Sequence, residues 1–273
     1  MTHQILLLAA VCFGLLTLSL IRLIQTKRQA RQKSMIGLEL INTLMSIIKL
    51  TQQHRGMHSG YLNGQTALAT KLNALESDLA CHFKTLSEAH KHFDPRTFQS
   101  LQAEQKQWQK LIQPNDLNAN ISFQLHSGLI KRLLDSLWDM ADDFGLTTSR
   151  SLDVKALSNK LVRTLPELAE SIGQVRALTM QVSNSERCTP DKKLHLLFTL
   201  AKIEKEVSHI EGTVGRQTCQ AIQGFVNEVR LSVDQQTLSE RNPDIFFQEA
   251  TKNIDAIFQN IHQGLNSIKA QLG

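Results

Sequence analysis

Aromatic residues, glycine and proline are all scarce in this sequence. Of its 273 residues, 5% are aromatic, 13 are glycine and 5 are proline. Leucine, alanine, glutamine, serine and lysine are plentiful instead. Little in this composition favours strands, and the shortage of turn-forming residues is typical of a helical chain. The composition therefore predicts an all-α fold.

Cysteines are few and lack the spacing of a metal or redox motif. Cys12, Cys81, Cys188 and Cys219 are scattered along the chain, and no two of them form a C-x-x-C pair. Cys12 lies in an apolar N-terminal segment, which leaves three cysteines, an odd number for a disulfide framework. We therefore expect reduced thiols.

The excess of positive charge is small and partly local. The net charge is +5, and part of the excess lies between Arg22 and Lys33, while the rest of the chain is nearly balanced. This distribution argues against nucleic acid as a partner. The sequence also has no phosphate loop, no nucleotide-binding fingerprint and no catalytic constellation. We therefore expect neither an enzyme nor a bound cofactor.

The N-terminal segment has the composition of a membrane anchor. Residues 5–21 carry no charge, and with Leu23 and Ile24 they approach the roughly 20 residues that span a bilayer. Met1 to Gln4 contain no lysine or arginine, and no small-x-small site precedes the basic run, which argues against a cleaved signal peptide. The basic flank predicts an N-out, C-in topology in the inner membrane, with the soluble part in the cytoplasm. Residues 1–29 form this predicted anchor.

Apolar residues then recur every three or four positions, in segments separated by turn signals. Asp94-Pro95, Pro114-Asn115-Asp116 and Asn242-Pro243 mark three of the breaks. The predicted helices cover about 30–62, 66–92, 95–112, 118–144, 166–183, 192–215, 217–238 and 243–272, and a helical entry covers 154–162. The sequence thus predicts a transmembrane helix followed by two tandem up-down four-helix bundles, residues 30–148 and 149–273.

One cationic residue, Arg55, falls on the apolar stripe of the first long helix. The stripe steps by three or four residues through Leu40, Leu44, Ile47 and Thr51 to Arg55. Burying an unpaired guanidinium costs several kcal/mol. Something anionic is therefore expected to meet it, either an internal carboxylate or a small anion from outside.

The second half of the chain repeats this feature with Arg176. It lies on the edge of the stripe formed by residues 168–182, three positions after Gly173, as Arg55 lies directly before Gly56. A glycine lets a neighbouring helix or a ligand approach the backbone closely. The fixed fork of an arginine suits a planar oxyanion, because it can bind two oxygens at once.

Both arginines lie in segments that resemble a known family of sensors. The run QHRGMHSGYL, residues 53–62, resembles the E-R-G-x-S-x-G-Y/F-L signature of the nitrate- and nitrite-sensing (NIT) domain family. The run LPELAESIGQVRA, residues 165–177, resembles the L-P-x-L-x-E-x-x-G-x-x-R-G/A segment of related helical sensor modules. The resemblance covers roughly residues 35–270. His54 departs from the family pattern by replacing an acidic residue, and His58 lies where a small residue is common.

This resemblance implies two four-helix bundles that bind nitrate or nitrite between helices. It makes Arg55 and Arg176 the candidate anion ligands, with His54 and Ser59 beside them. Because the sequence contains no output segment of its own, the signal would pass to a partner in trans. The alternative is a non-sensing scaffold at the membrane that binds a partner or forms a homodimer. A polar cavity beside Arg55 would favour sensing, and a dry core with an internal carboxylate would favour the scaffold.

Two further clusters of polar residues are predicted to be ordinary solvent-exposed surface. Cys81, His82, His90 and His92 lie near the end of one helix without tight ligand spacing, so we predict a solvated helix end rather than a zinc site. Asp139 belongs to an acidic group on the fourth helix that predicts a charged outer face, although it is also a candidate internal partner for Arg55. No metal site is predicted.

Overall fold

A computed structural model describes residues 2–113, 117–148, 152–183, 188–238, 240 and 242–272. Within these ranges the structure contains helices and turns but no strand, which confirms the predicted all-α class. The helices are α1 Thr2–Leu62, α2 Ala69–Glu88, α3 Pro95–Leu111, α4 Ala119–Asp143, α5 Leu152–Asn159, α6 Leu165–Ser183, α7 Pro190–Val214, α8 Arg216–Asp234 and α9 Pro243–Leu272.

Helix α1 is the longest element and runs without a break through the apolar segment, the basic flank and the QHRGMHSGYL motif. Its 61 residues correspond to about 90 Å. Among the described residues it is the one helix long and apolar enough to cross a membrane. Large apolar side chains near its start, such as Phe13 and Leu16, are exposed, whereas Ile41, Leu44 and Ile48 are fully buried. The two ends of α1 therefore have different surroundings.

Most helix starts follow from local capping chemistry. The side chain of Asp94 accepts a hydrogen bond from the backbone N–H of Arg96 at 2.9 Å, and Pro95 occupies the first helical position of α3, as the sequence predicts. Helix α7 begins at Pro190, two residues before the predicted start, because the hydroxyl of Thr189 caps it. The predicted break at residues 114–116 lies outside the described residues.

Helix α5 continues into α6 through a π-helical turn, Lys160–Thr164. The sequence predicts a short helical entry and a new helix near Pro166, but the helical path continues through this proline. A proline lacks the N–H that an α-helix interior uses, and a widened turn shifts the hydrogen-bond pattern just before it. Leu161 and Val162 within this turn are buried in the core.

The helices pack around one contiguous apolar core. In the first part of the chain, α1 packs against α2 and α4, and α3 packs against α4. In the second part, α6 packs against α7 and α9, and α8 packs against α7 and α9. The two parts meet where α1 contacts α6 and α9 and where α4 contacts α6. This junction brings the two motif arginines into one region.

Candidate anion-binding site

Arg55 is completely buried, as its place on the apolar stripe predicts. Its Nη1 donates to Glu170 Oε1 at 2.6 Å and its Nη2 donates to Glu170 Oε2 at 3.2 Å. Nη1 also donates to the hydroxyl of Ser127 on α4 at 2.9 Å, and the guanidinium lies over the ring of Phe123, 5.4 Å from its centroid. Arg55 thus has an internal counter-ion held in two-pronged geometry.

The carboxylate that meets Arg55 is Glu170, not Asp139. Ser127 of α4 accepts a hydrogen bond from Arg55, and Asp139 lies twelve positions farther along that helix, a distance of about 18 Å. Asp139 instead lines a surface depression with Asp142 and Asp143. The proposed pairing of Arg55 with Asp139 is therefore wrong, whereas the predicted charged face of α4 is confirmed.

Glu170 connects the two parts of the chain. It lies on α6 and is only 6% exposed. The side-chain amide of Gln52 donates to its Oε2 at 3.0 Å, and that of Gln174 donates to its Oε1 at 3.0 Å. Each carboxylate oxygen is thus shared between Arg55 and an amide. The signal in the sequence was a glutamate among the apolar residues of α6, six positions before the arginine of the second motif.

Arg176 is also buried, with 3% of its surface exposed, but its contacts differ. Its Nη1 donates to the hydroxyl of Thr251 at 2.9 Å, and its Nη2 donates to the backbone carbonyl of Gln52 at 3.1 Å. The guanidinium lies over the ring of Phe247, 5.0 Å from its centroid. Within the described part of the chain, no carboxylate forms a hydrogen bond with Arg176.

The surroundings of Arg176 weaken its hold on its proton without removing the charge at neutral pH. Burial, followed by the nearby positive charge of Arg55, lowers the pKa of Arg176 from its usual value to about 10. Arg55 and Arg176 therefore bring two positive charges to this region, and Glu170 brings one negative charge. The cluster formed by these three side chains carries a net positive charge.

A small cavity adjoins Arg176. Its volume is about 20 Å³, room for about one water molecule. Its lining comprises Gly56, Ser59 and Gly60 of α1, Asn63 in the turn that follows, Arg176, Ala177, Met180 and Gln181 of α6, and Phe247 of α9. Two of the lining side chains have buried N–H donors, Arg176 Nε and Gln181 Nε2, that lack a hydrogen-bond partner among the described residues. Both of these atoms can only donate, which suits an acceptor-rich ligand.

The glycine of each motif lies against the arginine of the other motif. A Cβ atom at Gly173 would lie 2.9 Å from Nη2 of Arg55, and one at Gly56 would lie 3.8 Å from Nη2 of Arg176. Each motif thus supplies an arginine and the small residue against which the other motif's arginine packs. The prediction that these glycines permit close approach is confirmed for Gly173, where a side chain would collide with the guanidinium.

The four predicted ligand-binding residues separate into different surroundings. Ser59 lines the cavity beside Arg176, while Arg55 is joined to Glu170. His54 is fully buried and faces α4, where its Nδ1 lies 2.8 Å from Nε2 of His126. The structure therefore places Arg176 and Ser59 together, with Arg55 behind them and His54 elsewhere.

His58 and His126 stay neutral at pH 7. Burial, followed by the neighbouring His54, lowers the pKa of His58 to about 4. Burial, again followed by His54, lowers the pKa of His126 well below its usual value. Nothing in the sequence connects His126 with this region, because helical spacing alone does not show which residues of α1 and α4 face one another.

The clustered residues Cys81, His82, His90 and His92 are exposed or half-buried. Within the described ranges, the set of histidine, cysteine or acidic side chains close enough to share an ion is His54, His58 and His126. The predicted solvated helix end at residues 81–92 agrees with this placement.

No protein-family model matches the chain, and neither a curated protein nor a solved structure is significantly similar to it. The resemblance to the NIT domain family therefore stays a prediction that depends on the two short motifs.

Proposed function

We propose that this protein is a membrane-anchored sensory or binding module that takes a small oxyanion, such as nitrate or nitrite, at Arg176. The observation that carries the proposal is the pair of unpartnered buried donors, Arg176 Nε and Gln181 Nε2, on residues lining one cavity. A buried donor without an acceptor costs about 1–3 kcal/mol. An anion with several oxygens would supply acceptors to both.

Charge favours the same ligand class. Arg176 has only neutral oxygens as hydrogen-bond acceptors, from Thr251 and Gln52, and no acidic residue lines the cavity among the described residues. Ser59 and Asn63 add a hydroxyl and an amide to the lining. A monovalent anion would balance the charge that Glu170 leaves uncompensated, and a cation would be repelled.

The size of the cavity implies a rearrangement on binding. Its volume of about 20 Å³ is smaller than a four-atom oxyanion requires, so side chains such as Met180 and Phe247 would have to move. These two residues lie on α6 and α9, while the opposite wall belongs to α1. Binding would thus shift three helices relative to one another, with a coupling free energy typically of about 1–3 kcal/mol.

Arg55 has a supporting role in this proposal. Glu170 already occupies both prongs of its guanidinium, so it is not free to hold the anion in this packing. Its charge still contributes to the positive potential beside Arg176. The carbonyl of Gln52 accepts from Arg176 while the amide of the same residue donates to Glu170. Gln52 therefore links the hydrogen bonding of Arg176 to that of Glu170, the counter-ion of Arg55.

The membrane placement belongs to the same proposal. The exposed apolar side chains at the start of α1 would contact the bilayer of the inner membrane in a single pass. The basic flank would keep the remaining helices, arranged as two tandem four-helix bundles, in the cytoplasm. Helix α1 would carry the rearrangement between the anchor and a signalling partner in trans.

A non-sensing scaffold is the second candidate function. It is favoured by the internal carboxylate on Arg55, which was the feature expected of a structural arginine. Leu194 and Phe198, one turn apart on α7, are also 70% and 71% exposed, and such apolar side chains suit a homodimer contact or a partner helix.

The proposal is tested by thermal-shift titration of the full chain in detergent with nitrate, nitrite, sulfate and chloride. At a hundred times its dissociation constant, a specific anion should stabilise the fold by about 2.7 kcal/mol. Arg176→Met should abolish that shift. The matched control is Arg163→Met, which removes a 61%-exposed arginine from the segment just before α6 and should leave the shift intact. Equal responses to all four anions, or a shift that survives in Arg176→Met, would favour the scaffold.

A further inference from the structure

Three histidine rings gather between α1 and α4, and none of them lines the Arg176 cavity. His54 and His58 lie one turn apart on α1, and His126 faces them from α4. One ring nitrogen of each lies within 4.8 Å of the other two. His54 and His126 are fully buried, and His58 is half-buried. These three side chains are close enough together to share one metal ion.

The contacts of His126 and His54 show which nitrogen of each ring points toward the other. A backbone carbonyl can only accept, so the contact of 2.7 Å between His126 Nδ1 and the carbonyl of Ser122 places a proton on Nδ1. The free lone pair on Nε2 then faces Nδ1 of His54, 2.8 Å away. On its other side, Nε2 of His54 lies 3.1 Å from the carboxylate of Glu76.

We propose that His54, His58 and His126 form a site for a divalent first-row transition-metal ion of the zinc and copper class. The ligand atoms would be Nδ1 of His54, Nε2 of His126 and one ring nitrogen of His58. The ion would replace the proton that now joins His54 to His126.

The outer contacts are those that orient metal-bound histidines. Such a histidine usually donates its remaining N–H to a carboxylate or a backbone carbonyl, which fixes the ring and makes the ligand nitrogen more basic. Glu76 stands in this position for His54, and the Ser122 carbonyl does so for His126. The hydroxyl of Ser122 lies 2.8 Å from Nδ1 of His58, so all three rings are held from outside the cluster.

Distances set how far the rings must move. Two nitrogens about 2.0–2.1 Å from a tetrahedral ion lie about 3.4 Å apart, between the 2.8 Å from His54 to His126 and the 4.8 Å limit for the set. Small ring rotations are enough to close this difference. Imidazole nitrogens suit zinc, copper, nickel and iron, whereas magnesium and calcium prefer oxygen. Three protein ligands leave one position for water or an exogenous ligand.

The nearby tryptophan provides a direct readout. Trp108 of α3 is 2% exposed, and its ring centroid lies 4.8 Å from that of His54. The chain has two tryptophans, and the other, Trp138, packs against Arg163. A Trp138→Phe background therefore makes Trp108 the single indole. A bound Cu²⁺ ion at the histidines would quench its fluorescence, and removal of the ion by a chelator would restore it.

The experiment titrates the full, tag-free chain in detergent with Cu²⁺ after treatment with a chelator. One equivalent should quench most of the Trp108 emission, and an excess of the chelator EDTA should reverse the effect. Glu76→Gln should weaken binding about 10–100-fold, as loss of an outer carboxylate does elsewhere. His58→Gln and His126→Gln should weaken it further. The control His82→Gln removes a half-buried histidine on α2 and should change nothing.

Two outcomes would overturn the site. One is quenching that His58→Gln leaves unchanged, and the other is quenching that His82→Gln removes. If His126→Gln fails to fold, the half-buried His58 still gives a variant, and Co²⁺ absorption of the parent chain gives a second measurement. Absence of the d–d bands of a nitrogen-bound tetrahedral ion would also reject the proposal. The result does not depend on anion binding at Arg176, so the two proposals can fail separately.

Discussion

Arg55 and Arg176 begin from the same kind of sequence and reach opposite electrostatic outcomes. Both are buried and lie over a phenylalanine ring. Arg55 meets a carboxylate in two-pronged geometry, whereas Arg176 meets a hydroxyl and a backbone carbonyl. A buried charge with an internal counter-ion has a structural role. One that has only neutral partners remains available to an anion from outside, which is why the proposal rests on Arg176.

The largest effect should come from removing the carboxylate. Glu170→Gln keeps the shape of the side chain but strands Arg55 as a buried cation. We expect the free energy of unfolding to fall by about 3–5 kcal/mol, measured by urea unfolding of the full chain in detergent. Glu167→Gln is the control, because Glu167 pairs with exposed Arg163 at 3.5 Å and such surface pairs contribute at most about 1 kcal/mol. Equal losses in both variants would contradict the ion-pair role of Glu170.

A second buried carboxyl, Glu104, extends the comparison, because no arginine among the described residues forms an ion pair or hydrogen bond with it. Its Oε1 accepts from the hydroxyl of Ser136 at 2.7 Å, and its Oε2 has no partner among the described residues. Burial raises the pKa of Glu104 from 4.5 to about 8, although Ser136 and Arg132 oppose the rise. The folded protein therefore holds this proton through the range in which the unfolded chain releases it.

The sign of the pH effect follows from that proton. Because the folded pKa exceeds the unfolded one, the stability associated with Glu104 is greatest below pH 4.5 and is lost as pH rises through 8. Glu104→Gln removes this loss, so its stability relative to the parent should increase by about 4 kcal/mol between pH 5 and pH 9. Urea unfolding at both values measures the difference, and a constant difference would show that Glu104 is ionised in the fold.

Exchanging each arginine for methionine tests the comparison directly. Arg55→Met leaves Glu170 buried without its cation, at a cost of about 3–5 kcal/mol. Arg176→Met leaves the hydroxyl of Thr251 and the carbonyl of Gln52 without this donor, at a cost of about 1–2 kcal/mol. We expect the first variant to be less stable by about 2 kcal/mol in thermal or urea unfolding. Equal stabilities would mean that Arg176 is as much a structural residue as Arg55.

The smallest effects concern the two glycines. Gly173→Ala puts a methyl group 2.9 Å from Arg55 Nη2, and the ion pair restrains that atom, so we expect a loss of about 1 kcal/mol or more. Gly56→Ala meets the Phe247 ring at 3.6 Å, an ordinary contact, and gains up to about 1 kcal/mol of helix propensity. Thermal unfolding of the two variants should give changes of opposite sign.

The sequence predicted those features that depend on one helix at a time. The three-to-four-residue stripe placed Arg55 and Arg176 among buried residues, and Asp94-Pro95 marked the start of α3. In each case the relevant atoms lie within a few residues of one another. The all-α class follows from the same local patterns, summed over the chain.

The sequence did not predict those features that depend on which helices meet. Glu170 was part of a quoted motif, yet its role requires α6 to pack beside α1 at Arg55. His126 joins His54 across 72 residues, and no spacing within either helix indicates that contact. The π-helical turn before Pro166 was missed as well, because it depends on how Leu161 and Val162 are buried. Partners across a junction of several helices are set by the whole packing.

The continuous helix α1 also fixes the distance between the apolar segment and Arg55. From Ile24, at the end of the apolar segment, to Arg55 the helix is continuous, and the distance is about 47 Å along its axis. Under the proposed anchoring, a partner that reads the arginine region must reach to that height above the bilayer. Inserting a single residue between the two points would raise the region by about 1.5 Å and turn it by about 100°. The length of α1 between Ile24 and Arg55 therefore sets both the height and the orientation at which a partner meets the arginine region.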